Sequence, residues 1–446
     1  MNSRRWGLLF ILLALFALAL PVGAQGASSK AAFLNASGQL IVSSGDGSYR
    51  WIVTNPGEAL ADPIGFSWAP GGSRLFFALN QGGEVSLRSA DINSQSVAEI
   101  GRLPNNALSG GQWTPDGGGV LVAAGDRIVL AQANGAGLID VLTGQGAVRL
   151  ITPYADDRPN LPRARSLSPD GRYLFYQGGD GRYTVRALDG STSFALPAGN
   201  DAGAPQVGLW SDAAPLVAHW GYEGNSVIVV THAPSGQSVT LDSGRAAPVN
   251  PLAWRPGTSQ LIYRDATGFI RAADLGCLAS GCGANPLANG VELAPASAAD
   301  VQTDGTWVYF RDGDVIRAVN LGCIGAGNCA ASAVTLGANA APQTMLHVAA
   351  RTLAYTAYAQ DPNNLNDREV RIVNLNCLND PASCAAQTFL GGAVAGLLSP
   401  DGGALIVEQA GSGMNILNLG TLASTYLSDL PGGSPGSPLL MAARWG

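Results

Sequence analysis

Apolar and polar residues alternate along this chain in short runs, and the runs come in pairs separated by a turn. GFSWAPGGSRLFFAL (65–79), GQWTPDGGGVLVAA (111–124), ARSLSPDGRYLFYQ (164–177), PLAWRPGTSQLIYR (251–264), ADVQTDGTWVYFR (299–311) and AGLLSPDGGALIVEQ (395–409) share one plan: an apolar strand, a Gly/Asp/Pro turn and a second apolar strand. VGLWSDAAPLVAHW (207–220) and MLHVAARTLAYTAY (345–358) follow it more loosely. The residue just before the turn is Trp68, Trp113, Leu167, Trp210, Trp254, Gln302, His347, Leu398 and Trp445, so the unit recurs every 43 to 54 residues. After the turn in 164–177, the runs RYTVRAL and STSFAL alternate as half-buried strands do. Four strands in a unit of roughly 40–50 residues is the pattern of a β-propeller blade.

Within such a unit Ser168-Pro169-Asp170-Gly171 is a turn and not a reactive pair: proline presets φ, aspartate accepts backbone hydrogen bonds, and glycine takes positive φ. Residues 31–54 supply three strands with no first strand before them, while MAARW (441–445) begins a first strand that nothing follows but Gly446. The expected fold is all-β: a single propeller of eight or nine four-stranded blades, closed by pairing of N- and C-terminal strands.

Ser168–Gly171 and Ser399-Pro400-Asp401-Gly402, each leading into an aromatic or aliphatic strand, resemble the WD-repeat-like propeller units of TolB-type proteins. The resemblance spans nearly all of residues 25–446 but not the α/β domain that precedes the propeller in TolB. It implies a propeller and leaves the activity open, because the motif is short and shared by many functions.

Composition agrees with frequent turns: 59 glycines in 446 residues and only 13% charged residues. Arg4 and Arg5, the apolar run Leu8 to Leu20, Pro21 and Val22-Gly23-Ala24 read as a secretory signal peptide over 1–24, cut before Gln25. Its apolar run is shorter than the ~20 residues of a membrane span. No membrane span is expected after signal cleavage, and the propeller domain is assigned to 25–446. Losing the two arginines takes the formal net charge from −7 to −9, and Lys30 is the only lysine. Nucleic acid, which needs clustered cations, is therefore not an expected partner.

Six cysteines fall in three local pairs, Cys277 with Cys282, Cys323 with Cys329 and Cys377 with Cys384. Each follows an equivalent third strand (FIRAADLGC, VIRAVNLGC, VRIVNLNC), so three disulfides are expected at the third-to-fourth turn of successive blades. Zinc is not expected, because the spacing is never C-x2-C and histidine is scarce.

Catalytic chemistry has few candidates. The three histidines are His219, His232 and His347, and His219 alternates with apolar neighbours as a core residue does. Gly432-Gly433-Ser434-Pro435-Gly436 matches G-x-S-x-G but lacks the strand, helix and downstream histidine of a nucleophile elbow. No catalytic residue, cofactor or metal is assigned. The acidic turns Asp312-Gly313-Asp314 and Gly179-Asp180-Gly181 are the places calcium would sit, without the ligand density of an EF-hand loop.

Two long polar stretches, YADDRPNLPRAR (154–165) and AYAQDPNNLNDREVR (357–371), are expected on the face of the second-to-third loops and inter-blade connections. Tyr154, Asp156, Asp157, Arg158, Arg163 and Arg165 in the first, with Tyr358, Asp361, Asp367 and Arg368 in the second, are the candidate binding residues. The expected function is an exported, monomeric, non-enzymatic scaffold for protein partners, periplasmic, at the cell surface or secreted. The alternative is a sugar hydrolase or lyase, or a ligand-binding protein, with its site at the central channel.

Overall fold

The computed structural model describes residues 29–445 apart from 36, 62–64, 106–107, 145, 147, 152–164, 200–207, 223–224, 245–249, 283–289, 327–328, 342–345, 361–366, 410–412 and 429–443. The leader and its cleavage site, the Gly432–Gly436 motif and most of 154–165 lie outside that set.

Nine four-stranded antiparallel blades form a closed β-propeller. Blade 1 is made from both ends of the described chain: Lys30–Leu34, Leu40–Ser44 and Arg50–Ile52 are its second to fourth strands, and Arg444–Trp445 is its first. The pairing Ala31↔Trp445 and Ala32↔Arg444 closes the ring. Blades 2 to 9 follow in chain order, from Phe66–Trp68 of blade 2 to Ser424–Ser428 of blade 9.

First strands of neighbouring blades approach one another around the ring, so they line the channel. Fourth strands carry exposed apolar residues such as Ile52 and Tyr426, and form the outer rim.

The core is a series of sandwiches, one apolar cluster at each blade boundary. Alternation places successive side chains on opposite faces of a blade, and each face packs on a different neighbour. Leu405 and Val407 face blade 8 with Val370, whereas Ile406 faces blade 1 with Phe33 and Trp445. No blade buries both faces alone, so the ring must close for every cluster to exist.

The channel strands are irregular part-way along their length. The register slips between Leu108 and Gly111, Pro251 and Ala253, Ala299 and Gln302, and Ala395 and Leu398. In blades 2, 4, 5 and 8 the slip becomes an insertion. In blade 4, Leu150 pairs with Tyr176 and Leu167 with Leu174. The chain between them therefore interrupts a channel strand and does not join two blades.

All three expected disulfides are present, Cys277–Cys282, Cys323–Cys329 and Cys377–Cys384, each after the third strand of blade 6, 7 or 8. Such bonds belong to oxidising compartments. No helix among the described residues is long and apolar enough to cross a membrane.

Candidate functional site

The polar side chains of the repeat are spent on the turns themselves. Ser168 Oγ donates to Asp170 Oδ1 (2.6 Å) and accepts from the Tyr173 N–H (2.9 Å), while Asp170 Oδ1 accepts from the Arg172 N–H (3.1 Å). Gly171 sits at φ 71°, where a Cβ would strain the backbone. Thr114 with Asp116 and Ser399 with Asp401 repeat the pattern. The Thr114 hydroxyl and the Gly118 N–H hold the Asp116 carboxyl below its ordinary range; at Asp170 and Asp401 burial opposes the shift, but hydrogen bonds led by Ser168 and Ser399 still lower the carboxyl. A serine that donates to a carboxylate and is locked by a backbone N–H is a structural element of the turn, not an activated nucleophile.

The histidines occupy three unrelated settings. His219 is fully buried between blades 4 and 5, its ring 5.7 Å from Phe175 and 5.2 Å from Tyr183. His232 Nδ1 meets Ser235 Oγ at 2.8 Å in an outer turn of blade 5, and burial lowers its pKa. His347 stands at the tryptophan position of blade 8. Its Nε2 is enclosed without a hydrogen-bond partner, and burial pulls the imidazole down to about 4.

Of the ten candidate binding residues, Tyr154, Asp156, Asp157, Arg158, Arg163 and Asp361 lie outside the described residues. Arg165 ends the blade 4 insertion, its N–H donating to the Gly208 carbonyl of blade 5 at 3.0 Å. Tyr358 and Arg368 face each other across the second and third strands of blade 8. The Tyr358 hydroxyl reaches Asp314 of blade 7 at 3.4 Å, and Asp367 accepts from the Gln360 N–H at 2.6 Å. Arg368 is buried, its Nε has no hydrogen-bond partner, and desolvation lowers its pKa. Arg165 stands in blade 4, and Tyr358, Asp367 and Arg368 in blade 8, of a nine-membered ring, so the fold does not bring Arg165 to the other three.

The acidic turns serve local pairs. Asp312 pairs with Arg317 (3.2 Å), and Asp314 accepts from Tyr358. No group of three metal-ligating side chains occurs among the described residues.

Sequence reasoning missed a feature on the opposite, turn-bearing face. Between blades 3 and 4 lies an open groove of about 450 Å³ whose floor and walls include Leu121, Leu130, Val141, Leu167 and Leu188. Asp116 of blade 3 and Asp170 of blade 4 stand on its opposite sides. Leu188 follows the third strand of blade 4, and its N–H donates to the Arg172 carbonyl at 2.8 Å. Ile92, Ala133, Ala233, Leu275, Leu321 and Leu375 make the same bond in their own blades and are buried, and Leu419 is half-buried, whereas Leu188 is 41% exposed.

Blade 3 has no side chain at the position that covers the equivalent residue of blade 2. In blade 1, Tyr49 precedes the fourth strand and lies over Ile92 of blade 2, its hydroxyl bonded to the Ile92 carbonyl at 3.0 Å. The residue at that point of blade 3 is Gly137, identified by the same backbone bond (Gln132 N–H to Gly137 carbonyl, Ser44 N–H to Tyr49 carbonyl). A Cβ placed on Gly137 would meet open space. Elsewhere neighbouring turns touch: Gly257 donates to Asp212 at 2.9 Å, and Arg255 Nε donates to the Gly305 carbonyl at 3.0 Å. The groove separates the turns of blades 3 and 4.

No protein-family model and no curated protein matches the sequence. Among solved structures, a eukaryotic initiation factor superposes with a TM-score of 0.59 at 12% identity, over 90% of this chain and 95% of that one. An oligogalacturonate lyase in complex with manganese gives 0.44 at 10% identity, over 89% and 99%. TolB from Acinetobacter baumannii gives 0.33 at 13% identity, over 55% and 60%. At such identities likeness speaks to fold alone, and the chain is a nine-bladed β-propeller in architecture.

Proposed function

We propose that this chain is an exported, monomeric, non-enzymatic scaffold that holds protein partners in a cell envelope or outside the cell. The observation that carries the reading is the uncapped apolar groove between blades 3 and 4, at a position that is buried in six other blades. Exposed apolar surface flanked by polar groups on a rigid frame is the usual form of a protein contact. The leader at 1–24 and the three disulfides support export.

Photo-crosslinking residues placed at Leu188, Tyr358 and Leu422 in the native host, followed by mass spectrometry, test it. A recurrent protein adduct at Leu188 or Tyr358, and none at the exposed control Leu422, is expected. Absence of any adduct from Leu188 and Tyr358 refutes the scaffold reading.

A further inference from the structure

We infer that the groove between blades 3 and 4 binds a short extended protein segment bearing a large aliphatic or aromatic side chain next to an arginine or lysine. The inference rests on the scaffold reading and adds the chemistry of the partner.

The apolar half follows from the surface. Leu130, Val141 and Leu188 are incompletely buried, and the space above them is the space that Tyr49 fills at the boundary of blades 1 and 2. A side chain of similar size from another chain would take the same role against Leu188. The volume of about 450 Å³ lies within the roughly 300–1,000 Å³ of side-chain and ligand pockets. The groove is an open trough, the shape that admits a continuing backbone.

The basic half follows from the rim. Asp116 is an ionised carboxylate whose hydrogen bonds come from Thr114 and the Gly118 N–H, and no arginine or lysine among the described residues pairs with it. Asp170 across the groove is paired, among the described residues, only with Arg172, itself 69% exposed. The rim therefore carries one uncompensated negative charge beside an apolar floor. An incoming cation gains a partner there, and an incoming carboxylate is repelled.

The test uses the full mature protein, 25–446, and an array of synthetic ten-residue peptides. One position is Leu, Phe, Met or Ser and the next is Arg, Lys, Gln or Glu, in an otherwise Gly/Ser background. Selective binding of the apolar–basic combinations is expected, weakening as salt rises from 50 to 500 mM. Leu188→Asp should lower affinity at least about tenfold while Leu422→Asp leaves it unchanged. Asp116→Asn keeps the turn acceptor and should abolish the preference for Arg and Lys over Gln. Equal binding of all peptides, or binding indifferent to Leu188→Asp in a variant that melts like the wild type, overturns the inference. In the host, adducts at Tyr358 with none at Leu188 overturn it while sparing the scaffold reading. Adducts at neither position overturn both.

Discussion

The indole N–H of Trp445 donates to the main-chain carbonyl of Leu397, at 2.9 Å, across the seam between blades 9 and 1. Trp113 makes the same bond to Ser67 (3.0 Å) and Trp254 to Leu209 (2.8 Å), in each case to the residue one before the equivalent position of the preceding blade. The indole is thus both core and clasp. It fills the boundary with its rings and satisfies a main-chain carbonyl of the neighbouring blade's channel strand.

At the seam the clasp joins a two-residue strand to the rest of the ring, so it matters more there than elsewhere. Trp445→Ala is expected to cost about 3–5 kcal/mol, and Trp445→Phe, which keeps most of the burial, about 1 kcal/mol. Denaturant unfolding measures both. Loss of Arg444–Gly446 should be at least as damaging as the alanine change, and an unchanged melting curve would contradict closure by this strand.

The disulfides act locally. Each closes a loop of only 5 to 7 residues in separation, for which chain entropy gives about 2 kcal/mol. Replacing one pair with serines should lower the melting temperature modestly and leave far-ultraviolet circular dichroism unchanged. Collapse of the β signal after loss of a single pair would show that the bonds hold the ring itself.

Ser168→Ala removes a hydroxyl that both donates to Asp170 and accepts from Tyr173. A loss of about 1 kcal/mol in stability is expected, with partner capture in crosslinking unchanged. If capture were lost while stability held, the turn would have a recognition role.

Burial keeps His347 neutral down to about 4, below the unfolded value near 6.5. Below the unfolded value, unfolding takes up a proton that the folded imidazole refuses. The stabilising contribution is therefore complete above about pH 6.5 and is lost as pH falls toward 4. His347→Trp, the residue at this point of five other blades, should flatten the slope of stability against pH in that window. Parallel wild-type and variant curves would exclude His347 as the source.

Close packing at the next boundary gives a steric test. A Cβ on Gly208 would lie 2.3 Å from the Phe175 ring, beside buried His219. Gly208→Ala should cost about 1–3 kcal/mol in a thermal melt.

Much of the ring was legible because its devices repeat. The tryptophan spacing marked the ends of channel strands, MAARW matched that position without a blade of its own, and each cysteine pair followed the same third strand. Two features were hidden for physical reasons. The first strand of blade 4 begins at Arg149–Leu150, too short to show alternation, and resumes only at Leu167. In the sequence, ARSL therefore passes for the whole first strand, and 154–165 for a loop between elements. The groove was hidden because it depends on a side chain that is missing: Gly137 reads as one more turn glycine until Tyr49 is seen in the corresponding place two blades earlier.

Pairing between Ala31 and Trp445 joins positions more than 400 residues apart. Blade 1 therefore stays incomplete until residues 444–445 have been made, and its apolar surface is uncovered until they pair. Whatever the order in which the other eight blades form, completion of the ring waits for its closing tryptophan.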